Sequence, residues 1–216
     1  MRQWLLFVSV LFAASLGYFG WRNSEGSSNE IFSQARAVPP EAAPLCPWRN
    51  PESDLKQFFP EADRHTLETR ILSGVRTELA EKLGRQPTGD ENALRLGRVY
   101  RGSQCLGTVL TRRVKGEFGA IELVLATDDG PTVRGLRLQR LREPATVDNA
   151  LEDTNWLNSF VGKRPGDPWK LGVDVPEVTN EAKQSAEAIV QGARALLILL
   201  STSSEAQTPA LARGHH

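Results

Sequence analysis

The chain has 216 residues, of which 40% are hydrophobic, and its 26 basic residues are balanced by 26 acidic ones. This length accommodates one domain with appendages, and the hydrophobic fraction is sufficient for a packed core. Because the formal net charge is zero, there is no overall electrostatic attraction for nucleic acid, and no nucleic-acid partner is expected.

Residues 1–22 predict a membrane anchor or signal anchor. Arg2 precedes an uncharged apolar run from Trp4 to Trp21, which is roughly 18 residues long and near the lower limit of a spanning helix. The best cleavage site, Ala35-Arg36-Ala37, lies well beyond this run, so we favour an uncleaved anchor over a cleaved signal peptide. In both cases we expect the domain to be exported. The uncleaved form would be a single-pass protein of the cell membrane, with its domain on the periplasmic or extracytoplasmic side.

Two segments without periodicity flank the folded part. Residues 23–47, rich in Ser, Gly, Pro, Ala and Glu, predict a solvated linker, and residues 201–216 predict a disordered tail. One domain is therefore expected over residues 48–200. Cys46 and Cys105 are the only cysteines, and in an oxidising compartment they could form one disulfide or remain two separate thiols.

The first part of the domain predicts two helices. A short helix begins at Asn50-Pro51 and ends near Phe59, because Pro is favoured at the first helical position. A longer helix is predicted to follow, since apolar residues recur every four positions up to a stop at Gly84. The apolar residues of that stripe, expected in the core, are Leu67, Ile71, Val75, Leu79 and Leu83.

The middle of the domain predicts an antiparallel meander. Strand candidates lie at 94–100, 104–114, 120–127 and 132–141. Asp128-Asp129-Gly130 favours a hairpin between the last two, because Asp-Gly tolerates the positive φ of tight turns. A short helix at about 152–160 and an amphipathic helix from about Glu181 to Leu200 follow. Helices flanking an antiparallel sheet indicate an α+β fold.

Short motifs along residues 58–200 resemble, in their order, the FMN-binding-domain family. This family includes the flavin subunits of the sodium-pumping NADH:quinone reductase and of the Rnf complex, and single-domain relatives. The resemblance implies an FMN-binding-domain-like fold, FMN as cofactor, and electron transfer with the subunits of a membrane complex rather than a stand-alone enzyme. Motifs that carry it are Phe59-Pro60-Glu61-Ala62, Val99-Tyr100-Arg101-Gly102-Ser103, Trp156-Leu157-Asn158-Ser159-Phe160-Val161-Gly162-Lys163 and Asp167-Pro168-Trp169-Lys170-Leu171-Gly172.

In family members that carry flavin, a Ser/Thr-Gly-Ala-Ser/Thr-x-Ser/Thr motif precedes the last helix. Its final hydroxyl is esterified to the FMN phosphate by a separate transferase. Aligned on the helix, this motif corresponds to residues 180–185, so the resemblance places Ser185 at the acceptor position and retains Ala182. A second placement, with a poorer helix register, makes Thr179 the acceptor.

The segment departs from the family motif at the glycine, where this chain has Glu181. A side chain there hinders close approach of the backbone, and its negative charge competes with a phosphate for the positive end of the helix. Lys183 could offset that charge. A structural interpretation is equally open, in which Thr179 or Asn180 caps the helix. Ser185 is then an ordinary surface residue.

Other chemistry has little support in the sequence. His65 is the only histidine before the terminal His215-His216, so the domain offers no multi-histidine metal site. There is no Gly-x-Ser-x-Gly elbow and no Gly-rich phosphate loop. Trp48, Trp156 and Trp169 could stack on a flavin ring, although such residues more often pack in the core.

Three functions are compatible with these patterns. The first is a membrane-anchored electron-transfer component that carries FMN. The second is a flavin-free structural or accessory subunit of a membrane complex, which the altered attachment motif favours. A binding module for a different ligand is a third alternative, because a fold does not determine a function.

Overall fold

A computed structural model describes residues 46–207 of the chain. The predicted anchor, the linker up to residue 45 and the last nine residues of the tail lie outside the described residues. The described fold belongs to a single compact unit, residues 44–216. Within residues 46–207, no helix is both long enough and apolar enough to span a membrane.

The helices and strands of the described part follow one another with short connections. Three short 3₁₀ turns, at Ser73–Val75, Gly89–Asn92 and Asn180–Ala182, lie between them. In chain order the elements are α1 (Pro51–Phe58), β1 (Arg64–Ile71), α2 (Arg76–Leu83), β2 (Ala93–Arg101), β3 (Gln104–Lys115), β4 (Ala120–Thr127), β5 (Val133–Arg140), α3 (Ala145–Leu151), α4 (Thr154–Asn158) and α5 (Lys183–Gln207).

The five strands form one antiparallel sheet in the order β1-β2-β3-β4-β5, so each strand pairs with its neighbours in sequence. The turn at Asp128-Asp129-Gly130 joins β4 to β5, and Asp128 N donates to Thr132 O at 3.0 Å. The predicted α+β meander is therefore confirmed, with one strand more than the sequence patterns indicated.

The additional strand, β1, replaces the first half of the predicted long helix. Residues 64–71 pair with β2 along their whole length, and only the second half is helical, as α2. Leu67 and Ile71 are 64% and 72% exposed, so their prediction as core residues is wrong. The physical reason is that residues four apart lie on one face of a helix and equally on one face of a strand.

The last helix is longer than predicted, because α5 continues to Gln207. The expectation of disorder is therefore wrong for residues 201–207. Ser203 is buried, its Oγ donates to Leu200 O at 2.7 Å, and Arg70 Nη1 donates to that Oγ at 3.1 Å. A Ser-rich composition does not exclude a helix, because a serine within a helix can donate its hydroxyl hydrogen bond to a carbonyl of the preceding turn.

Two short helices replace the single one predicted at 152–160. The sequence analysis missed α3, and α4 covers only Thr154–Asn158. Asp153 begins the second helix, since its Oδ1 accepts a hydrogen bond from Trp156 N at 2.9 Å. A capping carboxylate of this kind satisfies a free N–H at the helix start.

α5 packs on one face of the sheet and builds the main core with it. Segment 46–59 covers the other face, where Phe59 packs against Val99, Val109, Val124 and Ala126. Asp54, fully buried, accepts hydrogen bonds from Trp48 Nε1 at 2.5 Å and Arg137 Nε at 2.6 Å, which hold this segment on the sheet.

The folded part begins earlier than the predicted start at residue 48. Cys46 is buried, and its carbonyl accepts a hydrogen bond from Thr111 Oγ1 at 2.7 Å. Cys46 and Cys105 are both free thiols, so of the two alternatives for the cysteines the structure shows separate thiols.

Candidate functional site

The predicted attachment residues do not converge on one site. Thr179 precedes the 3₁₀ turn, Ala182 ends it, and Lys183 and Ser185 lie in the first turn of α5. Ala182 and Ser185 are fully buried and face the interior, three residues apart on one side of the helix. Thr179 and Lys183 are exposed. The segment therefore divides its candidate residues between the core and the solvent.

Ser185 holds the turn between β3 and β4. Its side chain is 0% exposed, and its Oγ accepts a hydrogen bond from Glu117 N at 2.8 Å. The next N–H of that turn, on Phe118, donates to Glu143 Oε2 at 3.2 Å. The expectation of a surface serine is therefore wrong, because Ser185 joins the start of α5 to a turn 68 residues earlier.

The surroundings of Ser185 are closely packed. A Cβ added to Gly116 would lie 2.0 Å from Glu143 Oε1 and 2.9 Å from Ser185 Oγ, so both oxygen atoms approach the same point. Glu143 Oε1 is buried and has no hydrogen-bond partner within the described chain. A phosphate ester on Ser185 would therefore add negative charge beside the half-buried side chain of Glu143, which is electrostatically unfavourable.

This geometry predicts that Ser185→Ala lowers the free energy of unfolding by about 1–2 kcal/mol, because Glu117 N–H loses a buried acceptor. Urea denaturation followed by tryptophan fluorescence measures the change. Ser103→Ala, at an exposed position in the turn between β2 and β3, is the matched control and should leave stability unchanged. Equal stabilities for both variants would contradict the role assigned to Ser185.

The exposed side of the segment borders a cleft of about 360 Å³, large enough for a small ligand. The charged side chains that line it are two lysines and two glutamates, Lys170, Lys183, Glu177 and Glu187. Their formal charges therefore cancel. Trp169 also contributes to the lining, but it is 4% exposed and its Nε1 donates to Arg164 O at 2.7 Å. The cleft thus provides neither an excess of positive charge nor an open aromatic face for a flavin phosphate and ring.

Residues of the family-like motifs close the loop that leads to this cleft. Lys163, which is buried, forms an ion pair with Asp174, and Asp174 Oδ1 accepts from Lys170 N at 2.6 Å. Burial raises the pKa of Asp174, but the hydrogen bonds from Lys163 and from Lys170 N outweigh it and lower the pKa overall. The sequence analysis did not predict this ion pair. The one feature that could have indicated it is the position of Lys163 at the end of the motif that begins at Trp156.

Another carboxylate with several hydrogen-bond partners is that of Glu91, in the turn before β2. Its side chain is 0% exposed. Arg85 donates to both oxygens at 2.8 and 2.7 Å, Thr88 N donates at 2.8 Å, and Arg112 Nη2 lies 2.8 Å away. Burial raises the pKa of Glu91, but these bonds and charges prevail and lower it to about 2.

The basic residues of the sheet are largely neutralised by such pairs. A cleft of about 500 Å³ adjoins the end of β3 and is lined by Arg95, Arg112, Arg113 and Lys115. Arg112 pairs with Glu91, and Arg113 Nη2 lies 2.6 Å from Glu122. These arginines therefore contribute mainly to the structure of the sheet.

Metal chemistry finds no support in the described part of the chain. Between residues 46 and 207, no three or more His, Cys, Asp and Glu side chains are grouped as metal ligands. His65 lies in β1, and its ring and that of Trp48 form an edge-to-face contact with a centroid distance of 5.1 Å.

Comparison with known proteins gives distant structural likenesses. No protein-family model and no curated protein matches the chain. NqrC of Shewanella oneidensis is 13% identical with a TM-score of 0.43, covering 70% of this chain and 88% of its own. A component of the Na⁺-translocating NADH-quinone reductase of Parabacteroides distasonis is 13% identical with a TM-score of 0.40, covering 73% and 81%. The likeness to both structures is distant.

Proposed function

We propose that this protein is a flavin-free accessory subunit of a membrane complex, tethered by residues 1–22 with its domain outside the cytoplasm. The observation that carries the proposal is the environment of Ser185. The hydroxyl that would accept FMN is fully buried and accepts a structural hydrogen bond from Glu117 N.

Covalent attachment at Ser185 would require a large local rearrangement. The turn at 116–119 would have to leave the start of α5, and Glu117 N–H would lose its acceptor. A transferase also needs access to the hydroxyl, which has no exposed surface. Each unmade buried hydrogen bond costs about 1–3 kcal/mol, and the added phosphate would lie beside Glu143.

The partner class is supported by the sequence patterns. The motifs along residues 58–200 resemble flavin subunits of membrane redox complexes, and the uncharged apolar run from Trp4 to Trp21 supports a membrane tether. A domain that keeps such a scaffold while its acceptor serine is part of the core is suited to assembly or to positioning of other subunits.

A second function, an electron-transfer component that carries FMN, is favoured by one observation. Thr179 is exposed, and its side chain makes no capping hydrogen bond to the turn that follows. Its hydroxyl is therefore accessible to a transferase. The exposed Lys183 lies four residues further on, so an FMN phosphate on Thr179 would have one cation nearby in sequence.

Co-expression of the full chain with a flavin transferase distinguishes the two functions. We expect the intact mass of the purified chain to show no FMN-sized increment and the sample to have no flavin absorbance. A flavin subunit of a sodium-pumping reductase, expressed in the same cells, is the positive control. An increment lost in Thr179→Ala would establish the second function, and an increment lost in Ser185→Ala would overturn the structural role of that serine.

A further inference from the structure

β1 forms one edge of the sheet. No strand within residues 46–207 pairs with its outer side. Leu67 and Ile71 are exposed on this strand and pair with Gly97 and Ala93 of β2. The core residues of β2, Leu94 and Leu96, alternate with these two positions and pack toward α5. Leu67 and Ile71 therefore lie on the face opposite α5. An eight-residue edge with exposed apolar side chains is a template for pairing with another strand.

The hydrogen-bonding direction of β1 restricts how a partner strand can pair. Leu72 N donates to Asn92 O at 2.7 Å, and the same register places Arg70 opposite Leu94. Because backbone groups alternate in direction along an antiparallel strand, even-numbered residues point toward β2. The N–H and C=O groups of odd-numbered residues therefore point outward.

A second copy of this chain can satisfy that edge about a two-fold axis. For the two strands to form hydrogen bonds, the odd-numbered residues of one copy must lie opposite odd-numbered residues of the other. The two-fold axis therefore passes midway between the two copies of one residue. An axis at Leu67 places Arg64 of one copy opposite Arg70 of the other. An axis at Glu68 places the two Glu68 side chains opposite each other, and an axis at Arg70 does the same with the two Arg70 side chains. An axis at Thr66 leaves Ile71 beyond the paired strands. Like charges placed directly opposite one another destabilise a strand pair.

An axis at Thr69 has none of these defects. It places Leu67 of each copy opposite Ile71 of the other on one face, and Glu68 opposite Arg70 on the other face. Arg70 Nε already lies 2.7 Å from Glu68 Oε1 within one copy, so the second copy adds charges of the favourable sign. We propose that two copies pair through β1 about an axis at Thr69, which extends the sheet from five strands to ten.

Disulfide trapping tests this register in the full chain. In the proposed pair the two copies of Thr69 are directly opposite, with Cα atoms about 5.5 Å apart, within disulfide range. We expect Thr69→Cys to form linked dimer under mild oxidation. Thr66→Cys is the control, since the two copies of Thr66 would be offset by six residues, or about 20 Å. The unsubstituted chain measures any background from Cys46 and Cys105.

A second measurement does not depend on cysteine chemistry. Sedimentation equilibrium should show a dimer for the full chain, and Ile71→Lys should raise its dissociation constant by about tenfold or more. Val173→Lys, at a comparably exposed apolar residue outside the sheet, should leave the constant unchanged.

Three results would overturn the pairing: equal trapping in Thr69→Cys and Thr66→Cys, a dimer unaffected by Ile71→Lys, or a monomer at all concentrations. The last result would leave the edge to another protein or to no partner. The pairing does not depend on whether flavin is bound, so its failure and the failure of the proposed function are separate outcomes.

Discussion

Gly107→Ala is expected to lower the free energy of unfolding by about 3 kcal/mol, at the upper end of the usual cost of overpacking. Gly107 lies in β3, where an added Cβ would be 2.1 Å from Thr127 O and 2.7 Å from Phe59 Cε1. The carbonyl belongs to β4, which is paired on both sides, so it cannot move away without disturbing the sheet. Urea denaturation followed by circular dichroism measures the loss.

Gly89→Ala is the control for this substitution, because a Cβ at Gly89 would meet no atom within 4 Å. Its stability should stay within about 0.5 kcal/mol of the parent chain. A Gly107→Ala chain that does not fold agrees with the prediction. A Gly107→Ala chain as stable as Gly89→Ala would show that β3 and β4 do not pack as described.

Glu91→Gln should also be strongly destabilising. The buried carboxylate accepts two hydrogen bonds from Arg85, lies 2.8 Å from Arg112 Nη2, and accepts one hydrogen bond from Thr88 N. An amide cannot accept the same set of hydrogen bonds. It also removes the charge that pairs with Arg85 and leaves Arg112 only Asp90, at 3.9 Å, as a counter-charge. Removing one partner of a buried ion pair costs about 3–5 kcal/mol, and thermal unfolding at pH 7 measures it.

The pH dependence of this difference follows from the pKa of Glu91, which is lowered on folding to about 2 from an ordinary value of 4.5. A carboxyl of this kind contributes on the order of 3 kcal/mol. That stability is fully present above about pH 4.5 and is lost as the pH falls toward about 2. The gap between the parent chain and Glu91→Gln should therefore narrow over this window.

Glu81→Gln, at an exposed position of α2, provides the matched control. We expect it to follow the parent chain at every pH, since no salt bridge is described for Glu81 within residues 46–207. A gap for Glu91→Gln that stays constant from pH 5 to about 2 would contradict the lowered pKa.

Sequence patterns predicted the central strands well for a physical reason. β2 to β5 agree with the predictions to within one or two residues, because alternating burial and an Asp-Gly turn are local signals. β1 was mistaken for a helix because Leu67 and Ile71 are four residues apart, a spacing that both structures place on one face. Only pairing with β2 decides between them.

The end of α5 was missed for a related reason. Serine-rich segments are typical of tails, yet Ser203 is buried under Arg70 of β1, 133 positions earlier in the chain. No local pattern contains that contact. The same is true of Asp54, whose buried carboxylate is balanced by Trp48 and by Arg137 of β5.

By itself the sequence determined the α+β class, the meander of β2 to β5 and the position of the last helix, because these depend on short-range periodicity. It left open whether Ser185 is an acceptor or a structural residue. The tertiary structure buries this hydroxyl and packs the turn at Glu117 onto it, which is the basis for the structural role proposed for Ser185. Accessibility of a hydroxyl is a property of distant contacts, which local sequence patterns do not encode.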